Sequence, residues 1–215
     1  MTRLPLRPPA SLPERAAAPR RGLLALLLAA ALGMAASPAQ AGPLTLEHLM
    51  ATLAQVKSGE ARFTEKRQVG ELQQTLESSG RLSFNAPDTF VRETLKPRRE
   101  RLAVSGNTVT MSQGQRSRTM ALDSAPEAEA IVEAVRGTLT GNAAALERHF
   151  TQQLSGTLER WTLELVPREP RLRGQVARVA VTGRQAELRE VRILLTDGDL
   201  SVMQIEPLAP DAGTK

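Results

Sequence analysis

The 215 residues include no Cys, no Tyr, one Trp and four Phe. Without cysteine the chain has neither disulfides nor thiolate-ligated structural zinc, so its fold must rest on a hydrophobic core. The scarcity of aromatic rings removes the stacking platforms on which single-stranded nucleic acids are held. Internal repeats and low-complexity tracts are also missing from the body of the chain. At 41% hydrophobic and 24% charged, the composition is that of a packed globular protein. The one long apolar run, from Leu23 to Ala36, falls short of the roughly 20 residues that span a bilayer.

What the sequence has in excess is positive charge, +5 overall with a pI near 10.6. A basic surface is the footprint of a phosphate-binding protein, but here the charge is unevenly placed. Arg3, Arg7, Arg15, Arg20 and Arg21 face a single acid, Glu14, ahead of the apolar run, and the small-residue triplet Ala39-Gln40-Ala41 follows it. This is the pattern of a secretory signal peptide over residues 1–41, cut before Gly42. The residues around Arg20-Arg21 do not complete a twin-arginine signal, which favours the general export route. No cysteine stands at the cut to carry a lipid anchor. Cleavage removes five of the 28 bases and one of the 23 acids and leaves a net charge of about +1. Nucleic-acid binding thereby loses its electrostatic support.

Along residues 42–215 the periodicity changes character. Leu46, Leu49, Met50, Leu53 and Val56 lie on one face of a predicted helix from Leu44 to Lys57. From Leu72 to Phe84 every odd position is polar, whereas Leu72, Leu76, Leu82 and Phe84 hold even ones, which predicts a long strand with one face in water. Ala61–Val69, Thr89–Leu95, Arg101–Val104, Thr108–Met111 and Arg116–Leu122 read as neighbouring strands, separated by turns at Gly70-Glu71, Pro87, Pro97, Gly106-Asn107 and Gly114. Ser124-Ala125-Pro126-Glu127 has the form of a capping box before a helix whose stripe is Ala128, Ile131, Val132, Val135 and Leu139. A second short helix runs from Asn142 to His149, and strands resume at Trp161, Val179, Val191 and Met203, the last two joined by a hairpin signal at Asp197-Gly198. The expected fold class is α+β, one domain with a large curved antiparallel sheet of roughly nine to eleven strands and helices over its apolar face. Between sheet and helices lies either a packed core or a cavity.

No nucleophile elbow, phosphate loop, dinucleotide fingerprint or zinc-protease motif occurs. His48 and His149 lie on separate predicted helices without ligand spacing, Ser105-Gly106 and Ser155-Gly156 are explained by turns, and Asp197-Gly198-Asp199 lacks the longer array of a calcium loop. The cluster Arg98-Arg99-Glu100-Arg101 reads as a solvated loop or a docking site for a partner or anionic headgroups, and Arg116 and Arg118 are similarly open. No catalytic residue, metal or cofactor is expected.

Several short motifs then occur in a telling order. Ala61-Arg62-Phe63-Thr64-Glu65 follows the first amphipathic helix; next come Ser79-Gly80-Arg81-Leu82-Ser83-Phe84, Pro87-Asp88, Phe90, Lys96-Pro97, Leu102, Val104-Ser105-Gly106-Asn107 and Val109. In order and spacing this stretch, Leu44 to Gly114, resembles the LolA family, periplasmic carriers that take lipoproteins from the inner to the outer membrane of Gram-negative bacteria. The resemblance implies a half-closed barrel whose apolar inner face, lidded by helices, holds acyl chains. By position its cavity candidates are Phe63, Leu72, Leu76, Leu82, Phe84, Phe90, Val109, Met111 and Trp161, and its lid candidates are Leu46, Leu49, Met50, Leu53, Ile131, Val132 and Val135. It also implies a monomeric, non-enzymatic periplasmic protein whose partners are an acylated lipid or lipoprotein, an inner-membrane exporter and an outer-membrane acceptor, with no nucleic acid. Two departures stand out. Ala86 replaces the Arg that precedes the proline and bonds the lid in the family, and Arg92 stands where an aromatic is usual. Both favour a relative that carries a lipid or acylated product over the housekeeping lipoprotein carrier. The alternative reading is a lipid-binding sensor domain of related fold.

Overall fold

A computed structural model describes residues 44–70 and 74–209. The expected export signal, residues 1–41, and the cavity candidate Leu72 lie outside the described residues. Eleven strands form one antiparallel sheet: β1 (Ser58–Val69), β2 (Gln74–Asn85), β3 (Thr89–Lys96), β4 (Glu100–Ser105), β5 (Thr108–Gln113), β6 (Arg116–Ala121), β7 (Phe150–Thr157), β8 (Arg160–Pro167), β9 (Val176–Arg184), β10 (Glu187–Leu195) and β11 (Leu200–Pro207). The helices are α1 (Leu46–Leu53), α2 (Pro126–Leu139), α3 (Ala143–His149) and α4 (Pro170–Arg173). This is the α+β architecture that the periodicity predicts. None of the described helices is long and apolar enough to cross a membrane.

The strand order, β6-β5-β4-β3-β2-β1-β11-β10-β9-β8-β7, shows how the sheet is built. Two meanders, β1 to β6 and β7 to β11, meet where β1 pairs with β11 from Ala61↔Pro207 to Gln68↔Leu200. Side chains alternate across each strand, so the register carries one apolar face across the seam: Phe63 stands opposite Gly80 on β2 and Ile205 on β11.

The two meanders are covered differently. Over β7 to β10 the helices pack tightly, with Leu49, Leu53, Leu146, Phe150, Trp161, Leu163, Leu165, Leu172, Val179 and Val181 fully buried in one cluster. Each such side chain contributes about 1.5–3 kcal/mol relative to exposure. Among the described residues the β1 to β6 half carries two small clusters, Ala61-Phe63-Leu82 and Val104-Val109-Leu122.

Helix α2 explains the asymmetry. Its buried face is made of the small residues Ala130, Ala134, Gly137 and Thr138. Gly137 permits the closest approach, because a Cβ there would stand 2.6 Å from Leu146 Cδ2. Ile131, Val132, Val135 and Leu139, the bulky stripe of the sequence, turn toward the less filled half and stay half-buried.

Local signals differ from expectation in places. The Ser124 capping box does not form: α2 starts at Pro126 with Ala125 as an N-cap lacking a side-chain bond, and Ser124 Oγ donates to the Ala121 carbonyl at 2.6 Å. The reason is a 3-10 turn, Leu122–Ser124, that buries Leu122 and uses Ser124 to close itself. The first helix is shorter than predicted, with Thr45 Oγ1 accepting from the His48 N–H at 3.2 Å. Gly141 does end α2, at φ +61°, and a Cβ there would meet the Met50 carbonyl oxygen at 2.1 Å. Strand β7 and helix α4 were not foreseen in the sequence.

Candidate functional site

The space left between the β1–β6 half of the sheet, its β10–β11 neighbours and α2 is a cavity of about 680 Å3. Its sheet wall includes Ala61, Leu82, Phe84, Phe90, Leu102, Met111, Val191, Ile193, Met203 and Ile205, and its helical wall Ala128, Ile131, Val132, Val135 and Leu139. Met111 is 49% exposed although it faces this space. Helix α2 is tied over the cavity by Arg136, whose Nη2 donates to the Gly106 carbonyl oxygen at 2.7 Å in the β4–β5 turn, while Nη1 pairs with Glu133 at 2.8 Å.

The candidates nominated by sequence separate into groups. Leu82, Phe84, Phe90, Met111, Ile131, Val132 and Val135 line the cavity. The remainder sit elsewhere. Phe63 is buried beneath the Arg92 guanidinium, whose Cζ lies 4.6 Å from the ring centroid. Val109 packs against Val104 and Leu122. Trp161 fills the tight half over Gly183, with its Nε1–H donating to the Gln185 carbonyl at 2.9 Å. Leu76 is 47% exposed near the end of the β1–β2 hairpin. Leu49, Met50 and Leu53 are buried in the main core, with Leu46 packed against it. Helix α1 therefore closes the tight half and not the cavity, because its apolar stripe meets α3 and the β7–β10 side.

A polar cluster that no sequence motif marks stands on the same face of the sheet. Glu65, Arg67, Arg92, Asp199 and Ser201 all line the cavity. Arg92 Nη2 donates to Glu65 Oε2 at 2.5 Å and to Ser78 Oγ at 3.1 Å; Ser78 Oγ donates to Glu65 Oε2 at 3.0 Å and Ser201 Oγ to Glu65 Oε1 at 2.5 Å. Arg67 Nη2 pairs with Asp199 Oδ2 at 3.2 Å, and Asp199 Oδ1 accepts from the Gly70 N–H at 3.1 Å. Burial pushes the Glu65 carboxyl up, but the Arg92 charge and the hydrogen bonds from Ser201, Arg92 and Ser78 outweigh it and hold the group below its usual value.

The other sequence candidates lie apart from the cavity. His48 is exposed, and His149 Nδ1 lies 3.0 Å from Glu169 Oε1 beside the core. Ser105 and Ser155 are exposed strand residues, and Arg98, Arg99, Arg101, Arg116 and Arg118 are exposed on β3 to β6 or their turns. Among the described residues no group of three or more His, Asp or Glu is placed to hold a metal ion.

Residues 35–214 match the model of a family described as outer membrane lipoprotein carrier protein LolA-like. The chain belongs to that family. No curated protein matches the sequence. Among solved structures, a LolA superfamily protein from Nitrosomonas europaea is similar at 9% identity and a TM-score of 0.43, covering 80% of this chain and 98% of that one. An outer membrane lipoprotein-sorting protein domain from Vibrio parahaemolyticus is similar at 12% identity and 0.40, over 80% and 94%. LprF from Mycobacterium bovis is similar at 12% and 0.34, over 81% and 99%. In this chain the contact that ties the helix to the β4–β5 turn comes from Arg136 on the helix, and Ala86, in the β2–β3 turn, has no side-chain donor.

Proposed function

We propose that the protein is a non-enzymatic periplasmic carrier that shields the acyl chains of a lipid or lipoprotein in this cavity during transfer toward the outer membrane. The supporting observation is the apolar cavity of about 680 Å3 under α2. It falls inside the roughly 300–1,000 Å3 range of small-molecule sites. An acyl chain gains about 0.8 kcal/mol per buried CH2, so a chain of about 16 carbons costs on the order of 13 kcal/mol to hold in water. Shielding must offset much of that cost and still allow release. A space left open under a helix suits this better than a filled core. In this reading residues 1–41 direct export and are cut before Gly42, an inner-membrane exporter loads the cavity and an outer-membrane acceptor empties it. Native mass spectrometry of protein purified from its own host tests the reading. Co-purifying acyl lipids are the expected result; protein that is consistently empty and also fails to bind a fluorescent fatty acid contradicts it.

A further inference from the structure

The middle of the cavity wall is apolar, carboxylates alone (Glu60 and Glu187) border its Ala61 end, and the two arginine-containing pairs, Glu65–Arg92 and Arg67–Asp199, stand toward Arg67, so the two ends of the space differ in chemistry. Side-chain exposures of 13% for Glu65 and 27% for Arg92 put this ion pair largely out of water. Exchanging such a pair for apolar side chains of similar volume is often neutral or stabilising, so the fold alone gives little reason for it.

At the charged end the hydrogen-bond donors outnumber their partners. Both Glu65 oxygens already accept hydrogen bonds, and both Asp199 oxygens do as well. Arg92 makes its side-chain hydrogen bonds through Nη2 alone, as does Arg67, so among the described residues their Nη1 and Nε hydrogens have no protein acceptor. The Phe63 ring lies under the Arg92 guanidinium, 4.6 Å from Cζ to the ring centroid, and helps hold it over the sheet. Every carboxylate oxygen of the cluster thus has a donor, whereas several guanidinium hydrogens have no acceptor among the described residues. Both forks of the Arg92 guanidinium include Nη2, whose two hydrogens already go to Glu65 and Ser78, so what this end offers an anionic group is the single N–H donors left on Arg92 and Arg67.

We infer that the Arg92–Arg67 end of the cavity is a head-group site for the anionic oxygens, carboxylate or phosphate, of a long-chain amphiphile whose chain lies along Leu82, Phe84 and Phe90 under α2. This rests on the carrier reading above and names its ligand class. The head is held at the end where Arg67 reaches solvent, and the chain extends toward Ala61.

Titration calorimetry at neutral pH with hexadecanoic acid, hexadecyl phosphate and methyl hexadecanoate tests it. The paired variant Glu65→Gln with Arg92→Met removes both charges together, so that no carboxylate is left buried without a partner; circular dichroism checks its fold, and Arg67→Met provides a second, milder variant. The protein is expected to bind one or both anionic probes about ten-fold or more tighter than the methyl ester, and the paired variant to lose that preference while keeping its affinity for the ester. The stronger of the two anionic probes identifies the head. Equal affinity for acids and ester, or a preference unchanged in both variants, overturns the head-group site and leaves the carrier reading standing. Failure to bind any of the three probes overturns both.

Discussion

Glu65 carries two opposed effects, burial that favours its neutral form and three hydrogen bonds plus the Arg92 charge that favour its ionised form, and the second set prevails. A carboxyl whose folded pKa lies below its unfolded value adds stability that is present above the ordinary range, about pH 4, and is lost as the pH falls through the lowered value. Glu65→Gln is therefore expected to be less stable at neutral pH yet to lose less on acidification. Urea midpoints between about pH 7 and about pH 3 check this, and an unchanged pH slope would contradict it. The Glu65–Arg92 pair was hard to see in the sequence because its members lie 27 positions apart and meet only through the β1–β2–β3 register, Glu65↔Ser78 and Leu82↔Arg92. A signal was there. Glu65 and Arg67 share the inward parity of Ala61 and Phe63, so charge on the apolar face was legible from alternation alone.

At the scale of elements, α2 is the part whose freedom matters. Its buried small-residue face anchors it to α3 and β9, while its bulky stripe overhangs the cavity and Arg136 ties it to the β4–β5 turn. Arg136→Ala removes that tie and is expected to speed amide hydrogen exchange across Pro126–Leu139, with a local cost of about 1–2 kcal/mol and little change over β8 and β9. Hydrogen exchange read by mass spectrometry checks it; equal protection of α2 in both proteins would show that packing and the Glu129–Arg171 pair hold the helix without Arg136. Periodicity located α2 but could not say which of its faces packs. Bulky residues normally mark the buried stripe, and here Ala130, Ala134 and Gly137 take that role because close approach to Leu146 needs small side chains. Strand β7 escaped notice because its sequence, FTQQLSGT, keeps only Phe150 and Leu154 as large apolar residues and depends on β8 for its pairing.

Among the described residues the sheet has one half filled and the other half open. That division predicts unequal responses to truncation. Leu163→Ala, in the packed half, is expected to cost about 2–5 kcal/mol, and Ile131→Ala, on the cavity wall, less than about 1.5 kcal/mol, because a side chain bordering empty space leaves little new cavity behind. Comparable losses in denaturant melts would mean the cavity is closed and packed in solution. The fold class and the one-sided sheet were legible because strand alternation and turn residues are local; core and cavity were not separable, since inward-facing Leu82 and Leu163 follow the same alternation and differ only in what the helices place above them. The central claim is that the space under α2 receives an acyl chain. It is tested most directly by equilibrium titration of a fluorescent 16-carbon fatty acid against the protein and against Val135→Trp, which fills the space from the helix side. Saturable binding by the protein, weakened about ten-fold or more in a variant that keeps its circular dichroism and melting cooperativity, is the predicted result; binding that is absent, or equally strong in the filled variant, would contradict it.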